Sequence, residues 1–355
     1  MTTNGTTPLL DRYQGAMVFS AIGDALGWPT EFLKPGRRAP FPLPVRDFVR
    51  WEKLVGGRWW GYRDKIAPGD YSDDTQLMLA VARCIASTGD FQPERFAYSE
   101  LPLWLHYERG GGRSVKTAAR TLIQRKTDWL HNFYKQRSLD YRQAGANGAA
   151  MRNLPIALAS MGNETQLVRD SFFNAIITHG HPRAILGTIL FGFAVQYALT
   201  DTYGTPVQML EYLRDNIENA GRLVADDERI ATWIISWEAR DKAPRPSFKS
   251  LFATTRTEAH RYLDAIQVHT EGPPEAYYRF VGALAPETKG SGLSTVCSAL
   301  SLFLRSNYRS DETIYTAVNL WKRYRYYCFI PRRPPWCALW KEYHSQTSFG
   351  ATPRS

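Results

Sequence analysis

Four cysteines in 355 residues, Cys84, Cys297, Cys328 and Cys337, are too few and too scattered for a disulfide framework, and they point to a reducing cytoplasm. Long apolar runs are equally scarce. The longest, Ala184 to Val195, is too short to cross a bilayer and reads as a core helix, and Met1-Thr2-Thr3-Asn4 does not open a signal peptide. A cytoplasmic monomer without membrane contact is the expectation. Alternating strand patterns are rare, no internal repeat is visible, and no nucleic-acid recognition motif is present.

What the chain does have is apolar spacing of helical period. Helices are expected near 11–26, 74–87, 93–107, 114–133, 149–160, 166–177, 183–199, 206–219, 224–239, 256–268, 292–305 and 311–320. The stretch from Pro35 to Gly69 carries Pro, Gly, Trp51, Trp59 and Trp60, and reads as a structured loop, since aromatics at that density must pack. The fold class is therefore all-α. At this length the chain could hold two domains, though one large helical domain can take it all, and a hydrophobic content of 44% suits a sizeable core. Residues 1–10 are expected to be a disordered N-terminus, 11–320 the domain, and 321–355 a separate tail.

Charge singles out that tail. Residues 321–355 hold seven Lys or Arg against one Glu, so +6 of the formal +10 lies there and only +4 in the rest. Basic residues interleaved with Trp321, Tyr324, Tyr326 and Tyr327 could form a nucleic-acid or membrane-surface patch, but out-of-frame translation yields the same bias without function.

Four short segments carry chemistry. Ser72, Asp73 and Asp74 precede the apolar run Leu77–Ala82. Adjacent oxygen ligands at a helix start can converge on a hard cation such as Mg²⁺. The same residues are favoured helix caps, and acids there complement the helix dipole. Gly23-Asp24-Ala25-Leu26-Gly27 closes an apolar stretch and is followed by Glu31, read as lying beyond the helix in a Pro- and Gly-bounded loop. Gly145-Ala146-Asn147-Gly148-Ala149-Ala150-Met151-Arg152 is a small-residue loop running into a helix; it can bring backbone N–H groups to an anion, or serve a tight helix contact. Thr178-His179-Gly180-His181-Pro182 suits metal or ligand binding, or a capped turn. A further run, Lys289-Gly290-Ser291-Gly292, resembles a phosphate-binding turn only superficially and reads as the start of a helix.

In this order the segments resemble the ADP-ribosylglycohydrolase family, over a stretch from about Gly15 to Leu199. The resemblance implies an orthogonal all-α domain with a binuclear Mg²⁺ site that cleaves the glycosidic bond between ADP-ribose and an acceptor. It assigns Ser72, Asp73 and Asp74 to the metals, Glu31 to catalysis and the loop 145–151 to ADP-ribose; within that frame Asp73 is also expected to take part in catalysis, and Gly145, Asn147, Gly148, Met151 and His179 are the expected ADP-ribose contacts. An ADP-ribosylated protein or other acceptor would be the substrate, and an ADP-ribosyltransferase the opposing partner.

One part of the pattern is missing. The family places its remaining metal ligands in a late G-x-D-T-D-T segment after an A-V-N-L-like run. Here Ala317-Val318-Asn319-Leu320 is followed by Trp321-Lys322-Arg323-Tyr324, and no Asp occurs from there to Ser355. Codons permitted for W-K-R-Y-R-Y-Y-C, read one base later, spell G-K-D-T-D-T-I-A. The hypothesis is a frameshift after Leu320, which impairs catalysis; a gene without Asp-Thr-Asp-Thr codons in the shifted frame would end it. The alternative function is an inactive ADP-ribose-binding or partner-occluding, immunity-like protein.

Overall fold

A computed structural model describes residues 9–31, 33, 39–56, 61–200, 204–239, 246–269, 271–285, 287–288 and 290–320. The expected tail, Trp59, Trp60, Cys328 and Cys337 lie outside the described residues. The main helices are α1 (Leu9–Glu31), α2 (Asp73–Ala82), α3 (Arg113–Ile123), α4 (Leu154–Ala159), α5 (Glu164–Ile176) and α6 (Pro182–Leu199). They continue with α7 (Pro206–Asp226), α8 (Glu228–Ala239), α9 (Phe248–Val268), α10 (Pro274–Phe280), α11 (Gly292–Arg305) and α12 (Ser310–Asn319). The fold is all-α, as its apolar spacing suggests; among the described residues the strands form two small hairpins.

α6 is the axis of the core, packed against α5, α7, α9 and α11. It is long and apolar enough to cross a membrane, but 83% of it is buried inside the protein. Its closest neighbour is α11. A Cβ on Gly187 would lie 2.5 Å from the Gly292 carbonyl carbon, so only glycine lets the two backbones touch. Gly187→Ala is expected to cost about 1–3 kcal/mol, as overpacking does; an unchanged urea midpoint would contradict this contact.

Several boundaries differ from the sequence expectation for identifiable reasons. The first helix starts at Leu9, inside the stretch expected to be disordered, and continues through Pro29 to Glu31. Glu31 is therefore the last residue of α1 and not a loop residue beyond it. The end is held by packing: Trp28 is fully buried, edge-on to Trp51 at 5.1 Å, and the Thr30 hydroxyl donates to the Gly27 carbonyl. Within Pro35–Gly69, Trp51–Val55 pairs antiparallel with Tyr62–Ile66. The expected helix 114–133 stops at Ile123, where Arg125 adopts φ 49° and Asn132 folds back to donate to the Ala118 carbonyl. Residues 206–239 form two helices, as expected, but the break falls at Asp227 and not between 219 and 224, because Asp227 leaves the helical region and its carboxylate caps α8 at Ile230 N. α9 begins at Phe248, not 256, with Ser247 as its cap. α10 was not expected at all.

Pro93–Trp104 is helical throughout, as expected, but contains a π turn over Phe96–Glu100. Asn319 and Val45 form a reciprocal clamp. Val45 N donates to Asn319 Oδ1 at 2.6 Å, and Asn319 Nδ2 donates to the Val45 carbonyl at 2.9 Å. Together with α1 packing on α12, this closes the two ends of the described chain on one another.

Candidate active site

The start of α2 is built around Asp24, whose carboxylate is 2% exposed. Asp24 Oδ1 accepts from the Ser72 hydroxyl at 2.6 Å, and Oδ2 accepts from Ser72 N, Thr75 N and the Thr75 hydroxyl at 2.9, 3.1 and 2.7 Å. A carboxylate facing the first N–H groups of a helix is where the helix dipole favours it. Ser72 also accepts from Asp74 N at 3.3 Å, so the capping role weighed for it from sequence is realised. Gln76 finishes the scaffold: its side chain donates to the Tyr107 carbonyl and accepts from Trp104 Nε1 and Arg109 N. Asp73 and Asp74 are held in this frame at 2% and 1% exposure. Thr75, Gln76 and Asp24 were not assigned from sequence; their signal was their place in S-D-D-T-Q and G-D-A-L-G.

Glu31 lies seven residues beyond Asp24 on α1, two turns and about 10.5 Å further along the same face. α1 packs on α2, so the first motif and the triplet are brought together.

The small-residue loop lies against α2 as well, through a 3₁₀ turn over Ala150–Arg152. It pairs with the start of α11: Asn147 N donates to the Gly290 carbonyl, and Gly292 N donates to the Gly145 carbonyl, each at 2.9 Å. Residues 290–292 thus line the loop, which sequence reasoning missed because their partner lies far away in the chain; Lys289 lies outside the described residues. Gly145 rests on the His181 ring and Gly148 on His179; a Cβ on Gly148 would lie 2.9 Å from His179 Cε1. Both histidines are neutral. Burial and the nearby Arg152 push His179 down to about 3, and burial and Arg183 push His181 down to about 4 despite Glu258. His179 is 1% exposed, so the structure places it beneath the loop, and Met151 is buried at 4%.

Two polar groups on these paired segments meet no hydrogen-bond partner: Asn147 Nδ2 and Ser291 Oγ. They belong to residues only 4% and 6% exposed, on segments bridged at Ala146 and Ser291. Burying such groups without a partner costs about 1–3 kcal/mol each, which an incoming polar ligand can recover. The carboxylates fit a hard cation less well. Among the described residues no group of three His, Cys, Asp or Glu side chains gathers in metal-binding geometry, and two carboxylates alone fall short of the ligand set a divalent cation takes.

The family model described as ADP-ribosylglycohydrolase matches residues 5–322. The chain is 32% identical over 189 residues to the ADP-ribosyl-[dinitrogen reductase] glycohydrolase of Rhodospirillum rubrum, across 53% of this chain and 58% of the relative. It is 23% identical over 251 residues to the ADP-ribosylarginine hydrolase Tri1 of Serratia proteamaculans, across 64% and 62%, and 28% identical over 218 residues to the ADP-ribosylhydrolase ARH3 of Danio rerio, across 59% and 54%. It therefore spans less than two thirds of the length of these relatives. A solved structure described as an ADP-ribosylglycohydrolase-related protein complex superposes with a TM-score of 0.54 at 20% identity, covering 91% of this chain and 85% of that one, and shares its fold. With the family model matching residues 5–322 and the motifs in their expected order, brought into contact by this fold, the chain belongs to the ADP-ribosylglycohydrolase family.

Proposed function

We propose that this site binds ADP-ribose and that its chemistry is hydrolysis of the glycosidic bond joining ADP-ribose to a modified acceptor. The observation that carries the reading is the pair of buried donors, Asn147 Nδ2 and Ser291 Oγ, left without partners where the small-residue loop meets the start of α11. Asn147, Gly145, Gly148 and Met151 would contact the ligand, with His179 supporting the loop from below. Cleavage passes through an oxocarbenium-like state, and a carboxylate beside it stabilises the developing charge or activates water. Glu31 and Asp73 take that part. Asp73 and Asp74, with Ser72, would hold Mg²⁺, and with the late acids missing they would hold one ion weakly where the family uses two. Turnover by this chain is therefore impaired. The match ending at Lys322, two residues past Leu320, supports a frameshift as the cause. The protein would act in the cytoplasm, as a monomer, opposite an ADP-ribosyltransferase.

The missing acids also favour a second reading, in which the protein binds ADP-ribose or occludes a partner without turnover. Isothermal titration with ADP-ribose separates these readings. Binding is expected, and Asn147→Ala should weaken it about tenfold. Affinity that rises with Mg²⁺ supports the enzyme, affinity indifferent to Mg²⁺ supports the binder, and no binding at millimolar ligand overturns both.

A further inference from the structure

Arg152 is fully buried, yet among the described residues no carboxylate compensates it. Its Nε donates to Asn174 Oδ1 at 2.7 Å, and its Nη2 donates to the Asn174 carbonyl at 2.7 Å and to the Thr178 hydroxyl at 2.9 Å. Nη1 has no hydrogen-bond partner. The guanidinium lies over the Phe96 ring, 4.8 Å from its centroid, at the first residue of the π turn. Burial alone lowers its pKa to about 9, so it remains a cation at neutral pH. Removing an ion from water costs several kcal/mol, and a well-packed apolar side chain of the same volume would avoid that cost.

The partners of this cation lead to one place. Asn174 Nδ2 donates to the Ala149 carbonyl at 3.2 Å and to Asn153 Oδ1 at 3.0 Å. The Thr178 hydroxyl lies 2.7 Å from His179 Nδ1, and the His179 ring is the surface on which Gly148 rests. Two chains of contacts thus run from Arg152, one to Ala149 and one to Gly148, in the middle of the small-residue loop. Resting on the reading of that loop as part of an ADP-ribose site, we propose that Arg152 is a positioning residue for the loop, fixing Gly148 and Ala149 from beneath so that their backbone and the uncompensated charge together suit the diphosphate of the ligand.

A planar fork makes three bonds here, and an ammonium cannot reproduce that geometry. The full-length protein and its Arg152→Lys and Arg152→Met variants would be compared by titration with ADP-ribose, ADP and adenosine, and by hydrogen exchange of the amides of residues 145–151. Arg152→Met is expected to lose about tenfold or more in affinity for ADP-ribose and ADP, with adenosine unchanged. Arg152→Lys, which keeps the charge without the fork, should fall between. In both variants the 145–151 amides should exchange about tenfold faster while those of α6 keep their protection. Loss of adenosine affinity equal to that of ADP, or unchanged ADP affinity, overturns the proposal. Should the parent protein bind no ADP-ribose, the reading of the site fails, and loop exchange still judges Arg152: rates in Arg152→Lys equal to the parent's would overturn its role. If the methionine variant does not fold, the lysine variant carries both measurements.

Discussion

Replacing the residues after Leu320 by the sequence of the shifted frame, so that G-K-D-T-D-T follows it, is expected to raise hydrolysis of an ADP-ribosylated substrate about a thousandfold over the chain as it stands. Asp73 and Asp74 are already in place at the start of α2, each almost fully buried. Among the described residues no third acid or histidine joins them in metal-binding geometry. Two carboxylates leave a hard cation short of ligands, and water fills a coordination position without supplying charge. The restored acids would recover several kcal/mol of charge stabilisation at about 1.4 kcal/mol per tenfold in rate. Asp74→Ala in the restored protein should return the rate to its starting level. Initial rates on an ADP-ribosylated peptide are the measurement. Equal rates in the two chains would refute both the frameshift consequence and the assignment of Asp73 and Asp74.

Asp24→Ala is expected to remove about 3–5 kcal/mol of stability, a large share of the roughly 5–15 kcal/mol typical of a folded domain. Four donors converge on this carboxylate, two from Ser72 and two from Thr75, and all are buried. An alanine leaves the peptide N–H groups and hydroxyls of the first turn of α2 without their acceptor, and each such orphan costs about 1–3 kcal/mol. Asp24→Asn keeps one acceptor oxygen and should lose about half as much. Urea unfolding of the three proteins checks this, and an alanine cost below about 1 kcal/mol would show that the α2 start is held by something else.

Helix order and the all-α class were legible because helical periodicity survives in single segments: α6 is buried along almost its whole length, and its apolar run announces this. The ends of helices were less legible. Nothing local to Pro29 says that the helix continues to Glu31, because Trp28 finds its partner in Trp51 on the hairpin. The site divided in the same way. Its motifs stood out as strings, and the residues that organise it did not. Asp24 becomes an anchor only when Ser72 and Thr75 arrive 48 and 51 residues later. Ser291 becomes part of the site only when Gly290 and Gly292 pair with the loop at Asn147 and Gly145. Arg152 looked like a helix start after a small-residue loop, and its burial depends on Asn174 and Phe96.

The clamp between Val45 and Asn319 joins residues 274 positions apart in the chain. Closing a loop of that size costs about 5 kcal/mol in chain entropy before any contact repays it. During synthesis the N-terminal partner must wait for the other to be made. At about 5–20 residues per second that delay is roughly 15 to 55 s. Asp24 can meet Ser72 and Thr75 early in that interval, since they follow closely on the growing chain. The opposite side of α1, where Ile22 and Leu26 face Ile314 and Tyr315 across a small pocket, has no cover until α12 emerges. For most of its translation, then, the nascent protein carries one helix whose inner seam is assembled and whose outer apolar seam is still open to water and to whatever chaperone holds it.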